Sequence, residues 1–238
     1  MSRTAQLDLP LVLPAQAQKH VTVNEALARL DAVAQLRVLS ARVAVPPAAS
    51  VDGTGYIVPA EAAQAWAGKV GQIAVWSNGG WIFLRPKAGW RTWDEDTKGT
   101  KVFDGVSWIS HAAAVSDGGA AVKCRIVEVD HTIETGQTSM TAPLLPKNAQ
   151  VLGVTGRVVL DITGPNVTGW RIGVPGSDNR YGSGLGLAMN SFLLGLTGSP
   201  VTYYEDTRLL LSAEGGSFAG GRVRLAAHII ELTPPRPV

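Results

Sequence analysis

The sequence is poor in cysteine, in histidine and in charged residues. One cysteine, Cys124, stands among 238 residues, which excludes an intrachain disulfide and a cysteine-rich zinc site. The four histidines are scattered and form neither an HExxH motif nor a close pair of metal ligands. We therefore expect no bound metal and no cofactor, and we expect Cys124, in an alternating apolar run, to be a buried thiol.

Basic runs and long apolar runs are absent as well. A net charge of +2 without a basic cluster argues against a strong nucleic-acid binder. No stretch of about 18 apolar residues could span a membrane. The run from Leu11 to Leu13 lies between two prolines and is too short for a signal peptide. We expect synthesis in the cytoplasm without a signal peptide, no nucleic-acid partner and no membrane insertion.

Glycine and proline are abundant, with 27 and 14 copies, which favours many turns and short strands. The sequence predicts a mainly β protein. An N-terminal α-helix precedes a small Trp-rich antiparallel β module, and a C-terminal β-sandwich of jelly-roll type follows. The predicted domains are residues 1–111 and 122–238, and the Gly-rich stretch 112–121 is the predicted linker.

One long amphipathic helix is predicted near the N-terminus, within residues 9–41. Thr22 and Glu25 have the spacing of a capping box, and apolar residues then recur every three or four positions up to Ala41. A single apolar helix can pack on its own domain or against copies of itself around a symmetry axis. We favour self-association, with predicted oligomerisation residues Val23, Leu27, Leu30, Ala34 and Val38.

Two β-hairpins are predicted between Gly71 and His111. The first turns at Asn78-Gly79, the strongest short-range hairpin signal, and the second turns at Asp104-Gly105. Six of the seven tryptophans fall between residues 66 and 108. In a module with little core, we expect these tryptophans to serve packing or a subunit interface.

Steady alternation of apolar and polar residues predicts strands in the C-terminal half. The polar stretch Val174 to Gly186 is predicted to be a loop between two of them. The predicted strands are Val122 to Val129, Val151 to Ile162, Trp170 to Val174, Leu185 to Phe192, Thr207 to Ala213 and Arg222 to Leu232.

No arrangement of residues carries an enzymatic signature. Asp94-Glu95-Asp96 begins like a calcium loop, but Lys98 and Gly105 stand where that loop needs oxygen ligands, so a solvated acidic turn is expected. Paired carboxylates could mark a polysaccharide depolymerase. The chain is too short for a large β-helix and shows no β-helix repeat. A non-enzymatic protein with no catalytic residue is predicted.

Carbohydrate binding has more support from residue types. Aromatic rings can stack on the C–H faces of sugars, while Asp, Asn and Arg can hydrogen-bond the hydroxyl groups. The alternatives are a solvated turn for the polar loop and a core position for its neighbouring tryptophan. The candidate sugar-binding residues are Trp170, Asp178, Asn179, Arg180, Tyr181, Tyr203 and Tyr204.

The run LPAQAQKHVTVNEALARLDAVAQL, followed by the Trp/Gly hairpins, resembles a known family of domains of unknown function. That family occurs in tail fibres and spikes of bacteriophages and of gene transfer agents, which are phage-like particles of alphaproteobacteria. The runs at 151–164, 180–182 and 217–232 resemble the second half of such fibre proteins.

The resemblance implies a homotrimeric surface protein of the virion. It would contact other particle proteins, lie outside the cell after lysis, and attach the particle to the capsular polysaccharide of the host. Two alternatives stay open, namely a structural adaptor that binds another particle component and a polysaccharide depolymerase.

Overall fold

The computed structural model describes residues 3–13 and 19–237. The chain forms two compact units: unit 1 runs to Ala121 and includes the tail from Pro234, and unit 2 is Val122–Thr233. The start of unit 2 coincides with the end of the predicted linker, while the tail lies with unit 1. Whether the two units are independent domains stays a prediction. In the described residues, no helix is long and apolar enough to cross a membrane.

The N-terminal helix, α1, is present but shorter than predicted. It spans Lys19–Ala34, so Thr22 lies inside the helix and does not cap it. Val38 belongs to strand β1, Arg37–Val38, and is buried. The apolar period continues past Ala34, but backbone pairing with a distant strand ends the helix there. The prediction that Val38 is an oligomerisation residue on the helix is therefore wrong.

Unit 1 contains two small sheets. One has the strand order β2-β3-β4, and the other has the order β1-β5-β6-β7, in which β1 pairs with β5 in parallel. The strands are β2 Gly55–Ile57, β3 Ile73–Ser77, β4 Gly80–Leu84, β5 Arg91–Asp94, β6 Gly99–Phe103, β7 Trp108–Ser110 and β8 Ala112–Val115, and a 3-10 turn covers Gln64–Trp66.

The hairpin predicted at Asn78-Gly79 is confirmed. Both residues have positive φ, 51° and 80°, as a type I′ turn requires, and the turn places Trp76 opposite Trp81 on β3 and β4. The Trp81 ring also contacts Trp66, with centroids 5.1 Å apart, and Trp66 is fully buried. These aromatic rings fill a core that short strands could not otherwise supply.

Unit 2 is a two-sheet sandwich, and the predicted mainly β fold is confirmed. Its strands run in the orders β10-β15-β12-β13 and β14-β11-β16-β9, so the chain passes repeatedly from one sheet to the other, as in a jelly roll. Inward residues of both sheets form one hydrophobic core. The strands are β9 Ala121–Thr132, β10 Thr138–Leu145, β11 Gln150–Thr163, β12 Gly169–Val174, β13 Ser177–Leu185, β14 Phe192–Thr202, β15 Thr207–Glu214 and β16 Gly220–Thr233.

The prediction was wrong around residues 174–202. The expected loop is strand β13, joined to β12 by a tight turn at Pro175-Gly176, where Gly176 has a φ of 85°. The expected strand from Leu185 to Phe192 is instead the connection to β14. Polar and glycine residues at the edge of a sheet hide the alternation that the prediction relied on. Cys124 is also exposed, against expectation.

Strands β13 and β14 approach each other closely at Gly195. A Cβ atom on Gly195 would lie 2.8 Å from the Cβ of Tyr181 and nearer still to the Tyr181 carbonyl oxygen. Gly198, in the same strand, has open space in the corresponding direction. Glycine at position 195 therefore lets the two strands meet at the edge of the sandwich.

Candidate interaction surfaces

Helix α1 holds the N-terminal segment, residues 3–13, mainly through hydrogen bonds from helix side chains to the backbone of that segment. The side-chain oxygen of Asn24 accepts a hydrogen bond from the Val12 amide at 2.9 Å, and the Asn24 amide donates to the Val12 carbonyl at 3.0 Å. One carboxamide thus satisfies both polar groups of one peptide residue, as a neighbouring β-strand would.

Asp31 holds the same segment further along. Its buried carboxylate accepts hydrogen bonds from the Thr4 hydroxyl at 2.7 Å and from the amides of Gln6 and Leu7 at 2.9 and 2.7 Å. Asn24 and Asp31 are seven residues apart, so they lie two turns apart on one helix face. We call Asn24 and Asp31 the segment clamp.

The segment clamp explains two positions of the NEAL..LD motif. These residues were missed in the sequence because the prediction followed the apolar positions. The signal available in the sequence was the spacing of Asn24 and Asp31, which places both side chains on one face of the helix, two turns apart. Residues 15–18 of the AQAQKH part lie outside the described residues.

We predict that Asp31→Ala lowers the free energy of unfolding of unit 1 by about 2–3 kcal/mol, because three donors to a buried charged acceptor lose their partner. Urea denaturation followed by tryptophan fluorescence measures this loss. Glu25→Ala is the matched control, since its ion pair with Arg29 is exposed and such pairs contribute little. Equal stability of the two variants would contradict a role for the clamp.

Helix α1 also exposes an apolar stripe, formed by Val23, Leu27, Leu30 and Ala34. The spacing of these four predicted oligomerisation residues places them on one face. Val23 and Leu30 are 42% and 53% exposed, Ala34 is exposed, and Leu27 is partly buried. The helix therefore packs on its own unit through another face. Self-association through the exposed stripe stays a prediction.

A second apolar stripe lies on β14 of unit 2, and we call it the β14 stripe. It consists of Phe192, Leu194 and Leu196, which are 63%, 68% and 78% exposed, while Leu193 and Gly195 between them face inward. Contiguous exposed apolar side chains on an edge strand mark contact surfaces or aggregation sites. The sequence prediction missed the stripe because it ended the strand at Phe192.

The neighbouring strand leaves the β14 stripe uncovered. On β11, Thr155 and Gly153 stand opposite Leu194 and Leu196, and neither is large enough to shield a leucine. The Arg157 guanidinium lies 5.9 Å from the centre of the Phe192 ring. The stripe is therefore apolar along most of its length, with one cation at its end.

Two candidate sugar-binding residues lie in the core of unit 2. Trp170 and Tyr181 are only 2% and 3% exposed, and the Trp170 indole donates to the Gly186 carbonyl at 3.0 Å. Because core neighbours cover these rings, they cannot stack on a sugar in this fold. The prediction of sugar contact is therefore wrong for Trp170 and Tyr181. Trp170 occupies the core position that was its alternative, and Tyr181 also lies in the core rather than in a solvated turn.

The two tracts that were predicted to bind sugar meet in the structure. The Tyr181 and Tyr203 hydroxyls are 2.8 Å apart and share a hydrogen bond. Burial raises the pKa of Tyr181, and this hydrogen bond raises it further. Tyr203 is partly buried, whereas Tyr204 is 81% exposed. The contact between Tyr181 and Tyr203 therefore anchors the segment that carries Tyr204 beside β13.

The other candidates on β13 are accessible to different degrees. Asn179 and Arg180 are exposed, and Asp178 forms an ion pair of 2.7 Å with Arg171. We call Asp178, Asn179, Arg180 and Tyr204 the β13 patch. Binding of a sugar by these residues stays a prediction.

Asp94 in the acidic turn Asp94–Asp96 is only 1% exposed, which corrects the expectation of a solvated turn for that residue. Glu95 and Asp96 are more accessible and are paired with cations. Arg42 donates two hydrogen bonds to Asp96 and holds the pKa of that carboxyl below its usual value. Lys98 lowers the pKa of Glu95, and Arg37 lowers it further by a smaller amount. Among the described residues, no group of three or more His, Cys, Asp or Glu side chains is arranged to hold a metal ion.

Comparisons with known proteins extend over part of the chain. Residues 23–109 match the model of a family described as "Protein of unknown function (DUF2793)". This match covers most of α1 and the hairpins of unit 1, which is less than half of the chain. No curated protein matches.

Solved structures also match part of the chain. A chain of the structure titled "Cyanophage Pam1 capsid asymmetric unit" is 28% identical over 50% of this chain and 91% of that chain, with a TM-score of 0.34.

Proposed function

We propose that this chain is a non-enzymatic attachment protein of a bacteriophage-like particle such as a gene transfer agent. Unit 1 docks to other particle proteins, and the apolar stripes of both units join three copies. Unit 2 binds the capsular polysaccharide of the host cell. The AQAQKH…NEAL..LD motif supports membership of a virion, because it resembles fibre and spike proteins and its Asn24 and Asp31 form the segment clamp.

The observation that carries the assembly role is the pair of exposed apolar stripes, one in each unit. Burying a leucine is worth about 1.5–3 kcal/mol, so exposing Leu30, Leu194 and Leu196 is costly for a chain that stays alone. Association of copies would recover part of this free energy. Weak sugar sites on several joined copies would then act together through avidity.

The polysaccharide role is supported by the β13 patch. Tyr204 offers an exposed aromatic ring, and Asn179 and Arg180 on β13 are exposed hydrogen-bonding groups. Such a ring can stack on the C–H face of a sugar, and exposed amide and guanidinium groups can bind hydroxyl groups.

Binding of the purified protein to an array of bacterial capsular polysaccharides tests this role. We expect at least one to bind, and Tyr204→Ala to weaken that binding about tenfold, which corresponds to roughly 1.4 kcal/mol. Trp93→Ala is the control, because Trp93 is an exposed aromatic residue of unit 1 outside the β13 patch. Equal loss in both variants, or no binding to any polysaccharide, would contradict the role.

A structural adaptor is the second candidate, and the β14 stripe favours it. In that case unit 2 contacts another particle protein, and substitutions in the β14 stripe disrupt particle assembly. Particles that assemble normally with Leu194→Asp but fail to adsorb to cells favour attachment. If particles with Leu194→Asp fail to assemble and the purified unmodified protein binds no polysaccharide, the adaptor is favoured.

A further inference from the structure

The sheet that contains β14 carries another apolar stripe on its outer face, on strand β9, and we call it the β9 stripe. It consists of Val122, Cys124 and Ile126, of which Val122 is 37% and Ile126 60% exposed, and Cys124 is also exposed. Val127 and Val129, on the same strand, pack against the core of unit 2 instead. Because side chains alternate between the two faces of a strand, the outward face of β9 is apolar over its first half.

The β9 stripe and the β14 stripe lie on the same face of the sheet. Phe192 stands opposite Arg157 on β11, and Arg157 stands opposite Arg224 on β16. The Arg224 guanidinium donates to the Asp130 carboxylate on β9 at 2.6 and 2.8 Å. Asp130 and Ile126 are four residues apart on β9, so they share this face.

The two stripes cannot cover each other within one chain. The order β14-β11-β16-β9 places two strands between them, which is three strand spacings or about 14 Å. The side chains in between are small, since Thr155 on β11 stands opposite Ala226 on β16. Each stripe therefore needs another chain to remove it from water.

The two stripes are bordered by charges of opposite sign. Arg157, beside the ring of Phe192, forms no ion pair with any residue that the structure describes. Glu128 follows the β9 stripe on the outer face, and it lies 3.8 Å from the Arg224 guanidinium, which hydrogen-bonds Asp130 instead. A cation without a partner at one stripe and a weakly paired carboxylate at the other are complementary, and such charges fix the orientation of an interface.

We infer that the β14 stripe of one copy packs against the β9 stripe of a second copy. In this arrangement Arg157 of one copy faces Glu128 of the second, whereas two β14 stripes packed together would supply no carboxylate to either Arg157. Because the contact joins two different surfaces, each copy keeps one stripe for a further copy, and the set can close into a ring. The inference rests on the proposed association of copies and names the surface that receives the β14 stripe.

Chemical crosslinking through the native Cys124 tests this contact in the purified full chain. Leu194→Cys and Leu196→Cys each add a second thiol, on the β14 stripe, and a short bismaleimide joins thiols that lie close together. We expect covalent trimers, because every copy can then be joined to two neighbours and the proposed function joins three. The unmodified chain should not be crosslinked, because its Cys124 faces the β14 stripe of a neighbour rather than another thiol.

Val51→Cys is the matched control, because Val51 is 78% exposed, as Leu196 is, and lies in unit 1. It should give no covalent trimer. Adding Cys124→Ser to Leu196→Cys leaves one thiol in each copy and should abolish crosslinking. Dimers from that last variant would show that β14 packs against β14, which overturns the inference.

The reactivity of Cys124 provides a measurement that needs no substitution. A maleimide dye should label the unmodified chain about tenfold more slowly at tens of micromolar than at dilutions where it is monomeric, because the contact covers the thiol. Equal labelling rates in the assembled and the diluted protein would overturn the inference, whatever the cysteine variants do to the fold.

Exchange of the two charges tests the orientation of the contact. Arg157→Glu and Glu128→Arg should each weaken association about tenfold, because each places like charges together, and the chain with both substitutions should recover most of the loss. Arg91→Glu is the control, since it reverses an exposed cation of unit 1. Failure of the combined substitutions to restore association would contradict the pairing of Arg157 with Glu128.

The outcomes separate this inference from the proposed function. A chain that stays monomeric at tens of micromolar contradicts the association of copies and the inference with it. An oligomer that is not crosslinked in Leu194→Cys or Leu196→Cys, and whose Cys124 stays reactive, overturns only the contact between the two stripes. Covalent dimers as the largest product would support that contact and contradict the joining of three copies.

Discussion

Gly195→Ala should destabilise unit 2 by about 3 kcal/mol or more, whereas Gly198→Ala in the same strand should change its stability by less than about 1 kcal/mol. The added methyl group at position 195 would collide with the carbonyl oxygen and Cβ of Tyr181, which are rigid parts of β13. Relief requires β13 and β14 to separate at the edge of the sandwich. At position 198 the same methyl group meets no atom within 4 Å.

Urea denaturation of the two variants measures this difference. Both substitutions place alanine for glycine in one strand, so they share the change in the entropy of the unfolded chain and differ in the space around the new methyl group. Loss of the contact between Tyr181 and Tyr203 should accompany the destabilisation. Similar midpoints for the two variants would show that β13 and β14 do not meet at Gly195.

Replacing Leu194 and Leu196 together by aspartate should convert a self-associated chain to a lower-mass species at micromolar concentration. Each leucine is more than two-thirds exposed, so its burial between copies would contribute about 1.5–3 kcal/mol. A carboxylate at an interface must also lose its water, which opposes association further. We expect the association constant to fall at least 100-fold.

Mass photometry and sedimentation over a range of concentrations measure the oligomeric state. Val51→Asp is the control, because it adds a carboxylate at an apolar residue of unit 1 that is 78% exposed, as Leu196 is. The helix stripe is tested in the same way with Leu30→Asp. An unmodified chain that stays monomeric at tens of micromolar would contradict self-association through either stripe.

Local patterns in the sequence predicted the local parts of the fold. Asn78-Gly79 defines its turn through two residues that tolerate positive φ, so the hairpin needed no knowledge of the rest of the chain. The end of α1 could not be found in this way. The apolar period continues to Val38, but Arg37 and Val38 pair with Trp93 and Asp94, which are far away in the sequence.

The interaction surfaces were harder to predict, because residue type does not say which way a side chain points. Trp170 and Tyr181 have the chemistry of sugar-binding residues, yet alternation along β12 and β13 turns both rings inward. Leu194 and Leu196 have the chemistry of core residues, and the same alternation turns them outward. A shift of one residue in the assignment of a strand exchanges these two outcomes.

The segment clamp recognises a peptide in a manner that is nearly independent of that peptide's sequence. The Asn24 side chain hydrogen-bonds the backbone of Val12, and the Asp31 carboxylate accepts from two backbone amides and one hydroxyl. The Asp31 carbonyl also accepts a hydrogen bond from the Gln6 side chain. Apart from Thr4 and Gln6, side chains in the N-terminal segment can therefore change while these hydrogen bonds to the helix are kept. The outer surface of that segment is thus free to be remodelled for a new neighbour without rebuilding the helix that carries it.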